Sequence, residues 1–410
     1  MTYSILLVAT NYWPEPTGIS VYTTDLAELL QEKDFKVTVL TSLPHYPWWE
    51  VPPEFSHIVK GSSQKNSVNI LRVSHQIPAQ MDALKRIQFE LSLWWNLRKV
   101  SKRMIGKDFD VVITCIPTVA AGVVGKKIAL NLGVPFGLII QDLSGVGAKQ
   151  SGLRGGALIS KVAQVVEGSV IKATDSIVIV SPAMRDVVTR LKIHSSKVYE
   201  ISNYAARKIE VVKRGVARHR FGWKRDEFLV IHTGNMGAKQ GLENVVESSK
   251  MLSRDSKVKI LLVGHGNQEA NLKKLCEGLA NVAVMGAVAD DQYSALLSAA
   301  DLLLINERST QLEMSLPSKL TSYLYSERPV LAAVPQEGAT WKFLDGIAEL
   351  VEAGRPYLLA RAIENLSQDP EKRKQLASKG LEFARKNLDA EIGRRKYLDW
   401  VNSLIQSKHG

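Results

Sequence analysis

The chain has 410 residues, 45% of them hydrophobic and 23% charged, too long for one typical core and ordinary for a two-domain globular protein. Lysine and arginine number 53 against 41 aspartates and glutamates, a net charge of +12, so an anionic partner is expected: nucleic acid, membrane lipid or a phosphorylated substrate. The two cysteines, Cys115 and Cys276, share no metal-ligand spacing and read as reduced thiols of a cytosolic chain.

At the N-terminus the chain runs straight into the apolar segment Ile5 to Val8, without the basic leader and cleavage site of a secretory signal. No uninterrupted apolar run is long enough to span a bilayer. Strands are predicted over residues 4–8, 37–40, 69–73, 111–115, 136–140, 176–180 and 198–201, with helical patterns such as 21–30, 120–132 and 182–191 between them. This alternation implies parallel sheets covered by helices on both faces. Residues 206–220 are polar and basic without clear periodicity, which places a domain boundary near 203–207. The rhythm then restarts, with strands over 228–232, 259–263, 282–285, 302–305, 330–333 and 348–350, and charge-rich helices from 369 to 404. In such doubly wound domains ligands sit beyond the carboxyl ends of the strands, so two domains in tandem can face one ligand across a cleft.

Five segments carry unusual chemistry. "NYWPEPTG" (11–18) is stiffened by two prolines and ends on Gly18, whose helix could turn its first amides toward an anion; a rigid connection is the plainer alternative. "HTGNMGAKQG" (232–241) puts Gly234, Asn235, Gly237 and Lys239 between a strand and a helix, which suits a phosphate site. "VGHG" (263–266) ends another strand on Gly264 and Gly266; His265 reads as a loop histidine. "LPSKLTSYL" (316–324) has Pro317 suited to a first helical turn, with Ser318 and Lys319 beside its free amides. Two helix starts, each with a lysine, strengthen the phosphate reading. Met81 to Met104 predicts a basic helix with paired tryptophans, suited to anionic lipid headgroups or, alternatively, packed on the core with a solvated basic face. Asp108 and Asp110 read as a loop before a buried strand, not as a metal site.

The segments "NYWPEPTGISVYTTDLAELL", "PHYPWWEV", "IIQDLSGVGAKQSGL", "SNYA", "GNMGAKQGLENV" and "LPSKLTSYL" together resemble the GT4 family of retaining glycosyltransferases, and within it bacterial exopolysaccharide enzymes of the colanic-acid fucosyltransferase kind. The resemblance implies an α/β GT-B fold, two doubly wound Rossmann-like domains with an interdomain cleft. It implies an acceptor-binding domain over 1–205, a nucleotide-sugar-binding domain over 206–385, and a C-terminal helix over 386–410 packing back toward the first.

By the same resemblance Gly18 approaches the donor diphosphate, and Lys239 binds it and offsets charge on the departing nucleotide. Gly234, Asn235 and Gly237 belong to that turn, and Gly264 and Gly266 match the glycines after the next strand. Gly286 and Val288 fall where the backbone meets the base, and Pro317, Ser318 and Lys319 at a helix start that meets phosphates. Departures are plain: Asn235 replaces an arginine, Glu327 a glycine, and Gln141-Asp142 a histidine near the reacting sugar. The family's paired glutamates fall at Met314, with Glu313 beside it, and at Ser322, where the donor ribose is expected. Asp142 and Glu15 are acidic candidates near the acceptor, to set beside Lys239 in catalysis.

The implied reaction moves a sugar from a GDP- or UDP-sugar to a polyprenyl-diphosphate-linked glycan, without metal or other cofactor, from the cytoplasm at the anionic inner face of the cell membrane. No nucleic-acid partner is expected, because no recognition helix, zinc site or single-strand signature is present. Two other readings stay open. A nucleotide-sugar epimerase of similar build needs acid/base carboxylates around the sugar that are not identifiable. A non-catalytic partner subunit is kept open by Ser322 and opposed by Lys239 and Lys319.

Overall fold

Most strands are predominantly apolar, and the central ones are buried on both faces: every residue of Val111–Ile116, Leu302–Asn306 and Val330–Val334 is buried. Such strands fit only the interior of a helix-covered parallel sheet. The computed structural model describes residues 2–16, 18–56, 60–78, 83–104, 106–143, 156–205, 209–253, 255–310 and 316–407. Contacts divide the chain into two units, Met1–Ala206 with Ala390–Gly410, and Arg207–Asp389.

The first unit holds β1 (Ser4–Ala9), β2 (Lys36–Ser42), β3 (Lys60–Lys65), β4 (Val68–Val73), β5 (Val111–Ile116), β6 (Phe136–Ile140), β7 (Ser176–Ile179) and β8 (Val198–Glu200). Their order is β3-β4-β2-β1-β5-β6-β7-β8, parallel except for the antiparallel β3–β4 pair. β3 was not among the expected strands. Its sequence, KGSSQK, has no apolar face because it lies at the sheet edge. It is held to β4 by a two-residue turn with Asn66 and Ser67 at φ 48° and 65°, a backbone that matches hairpin twist.

The helix Ala390–Gln406 belongs to this first unit. Trp400 is fully buried and donates from Nε1 to Ser176 Oγ at 2.8 Å. The sheet makes room for it with a glycine: a Cβ on Gly137 would lie 2.5 Å from Leu404 and 2.9 Å from Trp400. Asp25 fastens the same helix by accepting from Arg394 and from the Tyr204 hydroxyl.

The second unit holds β9 (Phe228–Thr233), β10 (Val258–Val263), β11 (Val282–Met285), β12 (Leu302–Asn306), β13 (Val330–Val334) and β14 (Glu349–Glu352). All are parallel, in the order β11-β10-β9-β12-β13-β14. Strand order therefore reverses between β9 and β12, the place where open sheets of this kind bind ligands.

Residues 206–220, read as aperiodic, contain the helix Arg214–Arg220. The reading failed because its basic residues do not all face water. Arg218 is buried, ion-paired with Asp301 and donating to the carbonyls of Ala299, Lys224, Arg225 and Glu227. The positive charge of Arg218 is thus offset by Asp301 inside the unit and is unavailable to a partner. The expected boundary residue Ala206 lies outside the described residues.

Trp400→Ala should cost about 3–5 kcal/mol through the cavity left over Gly137. Chemical denaturation of the purified protein should show a lowered midpoint, and an unchanged one would refute this packing.

Candidate active site

The loops leaving β9 and β12 are tied to each other at the switch point. Arg308 N donates to Lys239 O at 2.9 Å, and Asn306 Nδ2 donates to the carbonyls of Gln240 and Gly241. Asn244 Nδ2 in turn donates to Asn306 Oδ1 at 2.9 Å. Gly241 has φ 54°, and a Cβ there would stand 3.2 Å from the Arg308 Cα. Lys239 is exposed, on a single turn of 3-10 helix, Ala238–Gln240, that precedes the helix Glu243–Ser249.

This corrects one expectation: Lys239 does not mark the start of a helix with open amides. Asn244, Val245 and Val246 donate back to Gly241 and Leu242, and Glu243 occupies the first turn, paired with Arg308. The amides of the glycine turn are also engaged. Gly234 N donates to Val263 O, Met236 N to His265 O, and Gly237 N to Gln240 Oε1.

The glycines after β10 are dictated by this packing. Gly264, at φ 148°, would place a Cβ 1.9 Å from the Gly234 carbonyl oxygen, and Gly266 would place one 2.5 Å from the Met236 backbone. Asn235 is exposed, and its side chain lies across Gly237 and Gly266, at 3.1 and 2.7 Å from their would-be Cβ positions. His265 is the loop residue expected: Ala287 N donates to its Nε2 at 3.3 Å, and its Nδ1 meets Glu269. It thereby ties the Gly286–Val288 segment to the glycine loop.

The helix Lys319–Tyr325 reaches the end of β9 with two side chains one turn apart. The Tyr323 hydroxyl accepts from Thr233 N at 2.7 Å, and Lys319 Nζ lies 3.1 Å from His232 Nε2. Gly234 has φ 109°, and a Cβ on it would stand 3.4 Å from Lys319 Nζ, so the ammonium lies against the turn. His232 is fully buried, and its Nδ1 meets the Leu304 carbonyl at 3.0 Å. A carbonyl only accepts, so Nδ1 carries the proton and Nε2 accepts from Lys319. Burial and the neighbouring ammonium hold the imidazole neutral, well below the usual histidine range. Lys319 is half-buried; desolvation, opposed by the Glu307 carboxylate, pushes its pKa down to about 7.

His232 and Glu307 were given no role from sequence; the one available signal was a histidine inside the otherwise apolar run of β9. Pro317 and Ser318 precede this helix, and Ser322 lies half-buried on it. Glu313 and Met314 fall outside the described residues.

In the first unit, Gly18 caps the helix Ile19–Glu32 at φ 71°, with Tyr46 3.2 Å from its would-be Cβ. Glu15 is buried and built into the fold. One carboxylate oxygen accepts from the amides of His45 and Tyr46 at 2.9 and 3.0 Å, the other from Asn11 Nδ2. That engagement makes it an anchor for the 43–47 loop and argues against a role as catalytic acid. Asp142 follows β6, and its carboxylate accepts from its neighbour Leu143 N at 2.8 Å. The adjacent Gln141 exchanges two amide hydrogen bonds with Asn203. Asp110 accepts from Ser4 N at 2.8 Å, a structural use of the carboxylate.

Two family models match the chain: the glycosyl transferase 4-like domain over residues 17–203, and glycosyl transferases group 1 over residues 214–383. The Escherichia coli K12 protein WcaI, named as a colanic acid biosynthesis glycosyl transferase, is 28% identical over 96% of this chain and 98% of its own. The chain belongs to the GT4 family of glycosyltransferases. Solved structures agree on a GT-B fold. Sucrose-phosphate synthase from Thermosynechococcus elongatus superposes with a TM-score of 0.77 at 16% identity, over 99% of this chain and 100% of that one. Anabaena HepE, solved with UDP, gives 0.70 at 16% identity over 98% and 100%.

In this GT4 glycosyltransferase the residue replacing a common family glycine, Glu327, has φ 59° just beyond the helix Lys319–Tyr325. That left-handed backbone explains the family's glycine. Glu327→Gly should raise stability by about 1 kcal/mol, read as a higher melting temperature; a lower one would refute the strain.

Proposed function

We propose that this glycosyltransferase moves a hexose from a UDP- or GDP-sugar to a polyprenyl-diphosphate-linked glycan in exopolysaccharide or cell-envelope polysaccharide synthesis. Reaction proceeds with retention of configuration and without a metal. The observation that carries the donor reading is the exposed Gly234–Asn235 turn at the β9/β12 switch point, with Lys319 Nζ against it and Lys239 in the same loop. The solved HepE complexes with UDP and UDP-glucose, and the naming of WcaI for colanic acid, support it.

Cleavage of the sugar–phosphate bond builds negative charge on the departing nucleoside diphosphate. Cations held in place before that charge appears stabilise the transition state more than the ground state. Lys239, exposed but pinned through its carbonyl to Arg308, is assigned to the leaving group. On the acceptor side Asp142 is a better candidate than Glu15, whose carboxylate already serves the 43–47 loop.

Lys239→Ala should lower turnover by about a hundredfold or more while leaving the melting temperature unchanged. Calorimetry with UDP and GDP, each with and without chelator, names the donor base and tests metal independence. Turnover within a few-fold of the parent enzyme would remove the leaving-group assignment.

The lipid-linked acceptor is supported by the helix Ala83–Ser101. Phe89, Leu93 and Leu97 face inward, yet Leu84, Leu91 and Trp95 are 65%, 58% and 51% exposed on the outer stripe. Lys99 lies over the Trp95 ring at 5.1 Å and Arg98 over Trp94 at 5.2 Å. Among the described residues no helix is long and apolar enough to cross a membrane. Apolar residues flanked by cations suit an anionic lipid surface instead. Leu91→Ser with Trp95→Ser should reduce co-sedimentation with phosphatidylglycerol vesicles by about tenfold and leave nucleotide binding intact. Unchanged co-sedimentation would refute the membrane assignment.

A further inference from the structure

Lys319 is held from two sides that the donor reading does not by itself explain. On one side is the fully buried His232, whose Nδ1–H is committed to the Leu304 carbonyl and whose Nε2 therefore accepts from Lys319 Nζ at 3.1 Å. On the other is Gly234, whose missing side chain leaves the ammonium 3.4 Å from the would-be Cβ and facing the exposed turn. Among the described residues, the ionisable groups facing this corner are His232 from β9, Glu307 after β12, and Tyr323 on the lysine's own helix. Tyr293 on the helix Asp290–Ala299 meets the same Thr233 that Tyr323 does. Glu307 also accepts from Thr340 Oγ1 at 2.7 Å, which fixes its carboxylate. Both tyrosine hydroxyls bond Thr233, and among the described residues His232 is the group in hydrogen-bond contact with the lysine.

We propose that His232 is a positioning residue for donor binding: it holds the Lys319 ammonium at the Gly234 turn and favours its protonated form, so that Lys319 receives the diphosphate of the donor as a cation. The inference rests on the donor-binding reading above and adds to it a residue that never touches the nucleotide. An acceptor nitrogen beside an ammonium stabilises the charged amine against the burial that opposes it. Desolvation brings Lys319 to about 7, so the free enzyme holds the cation below that pH and loses it above. Binding of UDP or GDP above that pH should therefore draw a proton from solution. Removing the Nε2 acceptor should move the midpoint of Lys319 lower still.

The test compares the parent enzyme with His232→Gln, His232→Asn and Lys319→Met. A glutamine carries an acceptor near the Nε2 position, and an asparagine keeps only a donor near Nδ1. UDP and GDP binding is measured by calorimetry at pH 6 and pH 8, in buffers of different ionisation heat. For a midpoint lowered by about one unit, His232→Asn should bind about tenfold more weakly at pH 8 and about twofold at pH 6. His232→Gln should restore the parent profile, and Lys319→Met should bind without proton uptake. An unchanged pH profile in His232→Asn would reduce His232 to a packing residue and overturn the proposal, while the donor reading would stand. The second measurement needs no nucleotide: the Lys319 side chain is followed by NMR against pH, and His232→Asn must lower its midpoint. Failure of UDP and GDP to bind the parent enzyme would sink the donor reading, and the NMR titration would still decide the role of His232. If His232→Asn does not fold, a His232→Gln midpoint well away from that of the parent overturns the proposal.

Discussion

The backbone of residue 264 passes so close to residue 234 that a single added carbon would stand 1.9 Å from the Gly234 carbonyl oxygen. Much of the second unit's site depends on that approach. It brings the loop after β10 beneath the loop after β9, where Gly234 N and Met236 N donate to Val263 and His265 carbonyls. The turn is thereby closed from below, and from the other flank it is tied to β12 through Asn306 and Arg308. What faces solvent is a short exposed stretch at Gly234 and Asn235 whose shape is set by its neighbours. A ligand meeting it needs little reorganisation of the protein, which favours electrostatic stabilisation by groups already in place.

Glycines that looked alike in sequence do different work. Gly234 leaves space beside the Lys319 ammonium, whereas Gly264 and Gly266 leave space for another loop. Gly137 and Gly393 do the same for the C-terminal helix, receiving Trp400 and Tyr204 in the first unit. Charge divides in the same way. Arg218 and Arg394 are spent inside the units on Asp301 and Asp25, while Lys239 and Lys99 are exposed. A net charge cannot distinguish these uses; burial and partners do.

The sheets were legible because their central strands are apolar on both faces, a signal that survives without any tertiary information. β3 was not, because an edge strand needs no apolar face, and its cue was only the Asn66-Ser67 turn. The helix Arg214–Arg220 was hidden for the opposite reason: its buried arginine reads as surface charge until Asp301, 83 residues away, is beside it. The glycine- and lysine-bearing loops were found as loops, but the state of their amides was not. The sequence places Lys239 before a helix, while only the structure shows the helix amides turned back on Gly241 and Leu242. His232 makes its contacts with residues 72 and 87 positions away, which no local pattern encodes. Likewise Glu15 reads as an available acid until the amides of His45 and Tyr46 are seen on it.

Asn235 stands where an arginine is common in the family, and the structure bears on how such a loss is tolerated. An arginine stays charged at any physiological pH and offers a fixed fork of donors. Lys319 lies against the same turn from a separate helix and is half-buried, with the His232 acceptor beside it and a carboxylate nearby. Its charge is therefore conditional where an arginine's is permanent. Desolvation and the His232 acceptor act on it in opposite senses, and the diphosphate proposed to bind here would favour the cation. With a pKa pushed down to about 7, Lys319 already carries its charge below that pH, and an anion at the turn favours the cation above it. On the proposal made above, the strand histidine serves the donor without touching it, as the acceptor that keeps this conditional charge at the turn.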